Sequence, residues 1–151
     1  MKKYFFMLAA LLVGSVCFTS CGDDDDVEDA IEDIVSGKVK PTVTIKDGNP
    51  AVFTAVFKGV YTETMTATFD NNDECIKFIT QDIFATDKLA DEAWKDIQAN
   101  YDADEVSKYF TRKGKTITED ETEFYEGQSH DEILYFFELL KKEFESGNWK
   151  D

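Results

Sequence analysis

The chain has 151 residues, of which 32 are acidic and 16 are Lys or Arg, for a formal net charge of −16, and 14% are aromatic, led by 13 phenylalanines. Such a charge repels polyanions, and with no cluster of Lys or Arg to displace phosphate counterions it excludes nucleic acid as a partner. Three cysteines and one histidine offer no zinc spacing, and no Gly-rich phosphate loop, nucleophile elbow or HExxH is present.

Met1-Lys2-Lys3 leads into an uncharged apolar run from Tyr4 to Phe18, followed by Thr19-Ser20-Cys21. A basic n-region, an apolar h-region and a small residue before the cut describe a secretory signal peptide, and the run is shorter than the roughly 20 residues that span a bilayer. Residues 1–20 are therefore expected to be absent from the mature protein. Phe18-Thr19-Ser20-Cys21 resembles the lipobox of bacterial lipoproteins, with Phe18 where leucine is commoner. The resemblance implies that Cys21 becomes residue one and carries a diacylglycerol thioether and a further acyl chain, so that the partner at this end is a membrane. Each buried methylene adds about 0.8 kcal/mol of membrane affinity, enough for two or three chains to hold durably. Gly22-Asp23-Asp24-Asp25-Asp26 is similar to the acidic export stretch of surface lipoproteins of the Bacteroidetes type, which implies an outer-membrane, outer-surface location.

Residues 21–37 read as a solvated acidic leader, because Val27, Ile31 and Ile34 are outnumbered by Asp and Glu and dense like charge opposes a persistent helix. Residues 38–151 read as one α+β domain, large enough to bury a core without disulfides. Thr42 to Lys46 and Ala51 to Phe57 flank Asp47-Gly48 as a hairpin, with Pro50 held to the turn or the strand's first position. Tyr61 to Phe69 alternates, placing Thr62, Thr64, Thr66 and Thr68 on one face and Tyr61, Met65, Ala67 and Phe69 on the other. Gly59 leaves open whether residues 51–69 are one bent strand or two. Asp70-Asn71-Asn72-Asp73 is a turn, and Glu74 to Phe84 returns as a strand.

A helix opens at Thr86 or Asp87 and runs to about Asp102, with Leu89, Ala90, Ala93, Trp94, Ile97 and Tyr101 on one stripe. Val106 to Thr111 and Lys115 to Thr118 flank Lys113-Gly114 as a second hairpin, and Glu119 to Glu126 reads as an acidic connector. Ser129-His130-Asp131-Glu132 fits a capping box before a last helix that turns Ile133, Phe136, Phe137, Leu140 and Phe144 inward and stops at Gly147. Strands followed by helix, hairpin and helix indicate an α+β fold, a mainly antiparallel sheet with two helices packed on one face. The stretch from Thr66-Ala67-Thr68-Phe69-Asp70 through Cys75, Trp94, Lys115-Thr116-Ile117-Thr118 and Tyr125-Glu126-Gly127 to the last helix resembles small lipoproteins of the same bacterial group, a likeness that implies no activity.

Cys75, the one cysteine left after export and lipidation, sits in an apolar strand pattern and reads as core rather than as a nucleophile. His130 occupies a helix start. Carboxylate pairs such as Glu119-Asp120-Glu121 and Glu123 are uninformative where acids are so common, and Asp70-Asn71-Asn72-Asp73-Glu74 lacks EF-hand spacing, with Cys75 at the sixth place and Gln81 at the twelfth. The sequence thus assigns no catalytic residue, metal ligand or cofactor. It points to a non-enzymatic envelope lipoprotein that contacts a protein or glycan, with Thr62, Thr64, Thr66 and Thr68 as the candidate face. The alternative is a binding protein that holds a small apolar ligand between sheet and helices.

Overall fold

The computed structural model describes residue 38 and residues 40–147; the signal segment, Cys21 and residues 22–37 of the leader lie outside the described residues. Six strands, β1 (Thr42–Lys46), β2 (Ala51–Phe57), β3 (Tyr61–Phe69), β4 (Cys75–Phe84), β5 (Phe110–Lys113) and β6 (Thr116–Asp120), form one antiparallel sheet in the order β1-β2-β3-β4-β6-β5. Four helices accompany it among the described residues: α1 (Asp87–Asn100), α2 (Ala103–Tyr109), α3 (Thr122–Tyr125) and α4 (His130–Ser146). The chain is α+β, with four helices where the hydrophobic pattern indicates two.

The strands follow from strict alternation. Ala51, Phe53, Ala55 and Phe57 of β2 are buried, as is every odd residue of β3 from Tyr61 to Phe69, while the residues between them are half-buried or exposed. Short turns fix the register, since a slip of one residue would send every core side chain to the wrong face. Gly59, at φ +81°, closes β2 onto β3 as two strands rather than one bent strand. Asn49, just before Pro50, donates its side-chain amide to the Phe69 carbonyl (2.8 Å) and accepts from the Phe69 N–H (3.0 Å), tying the first loop to the end of β3.

Helix α4 begins at the expected capping box, in which the Glu132 N–H donates to Ser129 Oγ and the Ser129 N–H to Glu132 Oε2, and it ends at Gly147 in the left-handed conformation. Its Phe137 ring lies 5.6 Å from Phe53 and 6.1 Å from Phe78, and Phe144 lies 5.8 Å from both Phe53 and Phe57. One hydrophobic cluster joins these rings to Leu89, Ala93 and Ile97 of α1. Each such large side chain, fully buried, contributes roughly 1.5–3 kcal/mol.

Two expectations are corrected. Val106 to Tyr109 is helix, not strand: Asp102 caps α2 and Glu105 completes a second capping box, so the strand starts only at Phe110. Nor is Glu119 to Glu126 a plain connector. β6 continues to Asp120 because Glu119 and Asp120 pair with Thr80 and Ile79 of β4, and residues 122–125 form a helical turn held by Phe78, whose N–H donates to Thr122 Oγ1 and whose carbonyl accepts from the Glu121 N–H.

Candidate functional site

The inner face of the sheet carries a group of acids that the strand pattern hides. In register, Ala55, Glu63, Asp82 and Ile117 form one inward row across β2, β3, β4 and β6, and Phe53, Met65, Thr80 and Glu119 form the next. Glu63, Asp82 and Glu121 are 4%, 2% and 4% exposed, and Glu119 is half-buried. Thr80 Oγ1 donates to Glu121 Oε2 at 2.6 Å, whereas Asp82 Oδ1 is buried without any hydrogen-bond partner. The ion pairs Lys108–Glu123 and Arg112–Asp91 and the His130–Asp47 contact leave all four acids out.

A buried carboxylate with no cation beside it favours its neutral form, because its charge has lost water and gained like neighbours. Burial, then the charge of Glu121, pushes Glu63 up to about 8. Glu119 is pushed up to about 9 by burial, then by Glu121 and Glu63. Glu121 rises to about 7, burial being partly offset by the Thr80 hydroxyl. Asp82 rises well above the ordinary carboxylate range through burial and the charges of Glu63, Glu119 and Glu121. Burial and the same acids also raise Tyr61 and Tyr125. The arrangement can hold and release protons. Among the described residues, however, no group of three His, Cys, Asp or Glu side chains is placed to hold a metal ion.

Sequence reasoning passed over these acids. Glu63 shares the phase of Tyr61, Met65 and Ala67, and Asp82 that of Phe78 and Phe84; an acid at an inward place of an alternating strand is the signal that would have found them. Glu119 and Glu121 were hidden by the local run of acids.

On the outer face, Thr62, Thr64, Thr66 and Thr68 lie together as expected and are half-buried. The cross-strand neighbours of the first three are apolar or uncharged, with Thr62 between Val56 and Ile83, Thr64 between Thr54 and Gln81, and Thr66 between Val52 and Ile79, while Thr68 pairs with Lys77. Val56 and Ile83 are 40% and 50% exposed. Along all six strands the outward places hold one carboxylate, Asp120, and three lysines, Lys46, Lys77 and Lys113.

The remaining candidates fall into structural roles. Cys75 is fully buried and burial pushes its thiol up, which disfavours the thiolate. His130 Nε2 lies 3.2 Å from Asp47 Oδ1 and its ring stands edge-on to Phe69, tying the start of α4 to the first loop. Asp70 Oδ1 accepts from the N–H groups of Asn72 (2.8 Å) and Glu74 (3.1 Å), which lowers its pKa and commits it to the turn. At the sheet's edge an open groove of about 480 Å³ is lined by Trp94, Gln98, Tyr101, Val106 and Phe110, with none of the four acids in its wall. Compared with protein-family models, curated proteins and solved structures, the chain matches none.

Proposed function

We propose that this chain is a lipid-anchored lipoprotein of the outer membrane, too acidic to rest on the bilayer itself, that binds another envelope protein through the outward face of its sheet. The observation that carries the reading is the contrast between that face and the rest of the chain. With 32 acids overall, its outward strand places hold only one. Interface centres are depleted of charge, because each buried charge must shed water. A surface of threonine, valine and isoleucine meets that condition, and its exposed Val56 and Ile83 flank Thr62 in one cross-strand row. Of the two partner classes the sequence suggests, protein is favoured over glycan, since no aromatic ring occupies an outward place against which a sugar could stack.

The alternative, a small apolar ligand held between sheet and helices, loses support at the centre, where Phe53, Phe78 and Phe137 fill the space. It keeps support only at the groove beside Trp94 and Tyr101.

Capture from intact envelopes tests the reading. The mature chain should carry acyl groups on Cys21, and Cys21→Ala should leave the membrane fraction. Wild type should retain a protein partner that the Thr64→Lys, Thr66→Lys double variant loses and Trp94→Ala keeps. Equal retention by all three chains would count against the outer face, and loss only with Trp94→Ala would move the site to the groove.

A further inference from the structure

The four inward acids have no part in a docking face on the opposite side of the sheet, and their placement calls for its own account. Glu63 and Asp82 are direct cross-strand partners, Thr80 and Glu119 are partners in the adjoining inward row, and Glu121 reaches Thr80. Like charges directly opposite one another on paired strands oppose pairing. The acids nonetheless sit where three strands meet. We propose that Glu63, Asp82, Glu119 and Glu121 form a proton-binding site, and that the protons they share let β3, β4 and β6 pair, so that the fold tightens in mildly acidic surroundings and loosens in alkaline ones.

Among the described residues, no charge of the opposite sign acts on the four acids. β2 presents Ala55 opposite Glu63, and the buried side chains of α1 and α4 are aliphatic or aromatic. Tyr61 of β3 and Tyr125 of α3 are held neutral by burial and by the acids. Arg112 of β5 pairs in register with Ile117, but its guanidinium donates to Asp91 of α1 at 2.6 Å. The charged residues of α1, Asp87, Lys88, Asp91, Glu92, Lys95 and Asp96, lie outside its buried stripe, and those of α2 are on a helix with no buried residue. Asp120, beside Glu121, adds a further negative charge. Asp82 Oδ1, shut away from water with no donor, is the independent sign: an ionised oxygen in that place would carry a large penalty that a neutral carboxyl escapes.

The sign of the effect follows from linkage. Ordinary carboxyls in the unfolded chain titrate near about 4, whereas Glu121, Glu63 and Glu119 release their protons at about 7, 8 and 9 in the fold. Between those limits the folded chain binds more protons. Stability is therefore full below the unfolded value, falls as pH rises through the window, and levels off above it.

Equilibrium urea unfolding of the full chain at steps from about pH 5 to about pH 9 tests this, since each excess proton held by the fold lowers the folding constant about tenfold per pH unit. Wild type should lose stability across the range, and Asp82→Asn and Glu63→Gln should each flatten the slope by about one such step and gain stability at the alkaline end. Infrared spectra at neutral pH should show a protonated-carboxyl band in folded wild type that weakens in Asp82→Asn, a readout that survives if Glu63→Gln fails to fold. A slope unchanged by both variants, no protonated band, or a calcium-dependent rise in the alkaline midpoint that Asp82→Asn removes would overturn the proposal, the last by making the cluster a cation site.

Discussion

The inner and outer faces of the sheet are made from the same strands, alternate residue by alternate residue, yet the inner face holds the largest rings together with four acids while the outer holds threonines, short aliphatics and a single carboxylate. In an acidic chain the reverse would be expected, with carboxylates outward where water solvates them. The difference teaches that burial is decided by the layer a residue occupies, and that protonation then adapts the residue to the layer. Phe53, Phe78 and Phe137 supply enough apolar contact to hold Glu63 and Asp82 inside. The outer face is under no such compulsion, so its near lack of carboxylates in so acidic a chain asks for a separate reason, and docking supplies one.

The comparison is broken most severely by removing the rings that force the acids inward. Phe137→Ala should cost about 3–5 kcal/mol, because Phe137 is fully buried and touches both Phe53 and Phe78 and its loss leaves a cavity. Urea unfolding at fixed pH measures it. A cost under about 1 kcal/mol would mean that the inner face is not packed as described.

A smaller effect sharpens the electrostatic half of the contrast. Thr80→Val removes the one hydroxyl that donates to Glu121 Oε2 and should cost about 1–3 kcal/mol, the usual penalty for an orphaned buried acceptor. The bond favours the charged form of Glu121, which titrates at about 7. The loss should therefore be larger at alkaline pH, where that form dominates, than at mildly acidic pH. Unfolding midpoints of the variant and wild type that run parallel across pH would detach Thr80 from the titration.

Much of this fold was legible in the sequence because its signals are local. The alternation of Tyr61 to Phe69, the capping box at Ser129 and the stop at Gly147 each act within a few residues, and each appears in the structure. What escaped is non-local. Glu121 becomes buried and Glu119 half-buried only because β6 pairs with β4, some 40 residues earlier in the chain, and nothing between Lys115 and Glu126 announces that partner. Val106 misled for a related reason. A β-branched residue before Phe110 and Thr111 reads as strand, but Asp102 and Glu105 close a capping box around the helix that contains it. The threonine face was visible from period two alone, while the aliphatic neighbours that complete it required the register of three strands.

The smallest expected effect on the fold falls on that outer face. Thr64 and Thr66 are half-buried among their cross-strand neighbours, and Lys77 already occupies an outward place beside Thr68. A lysine in such a position lays its methylenes along the sheet and keeps its ammonium in water. Replacing both threonines by lysine also reduces a net charge of −16, which eases self-repulsion and offsets part of the lost strand preference. The double variant should stay within about 1 kcal/mol of wild type in urea unfolding. With the fold intact, any partner it no longer captures was lost at the surface itself. A loss above about 2 kcal/mol would instead mark the threonine row as buried, and the contrast between the two faces would fail.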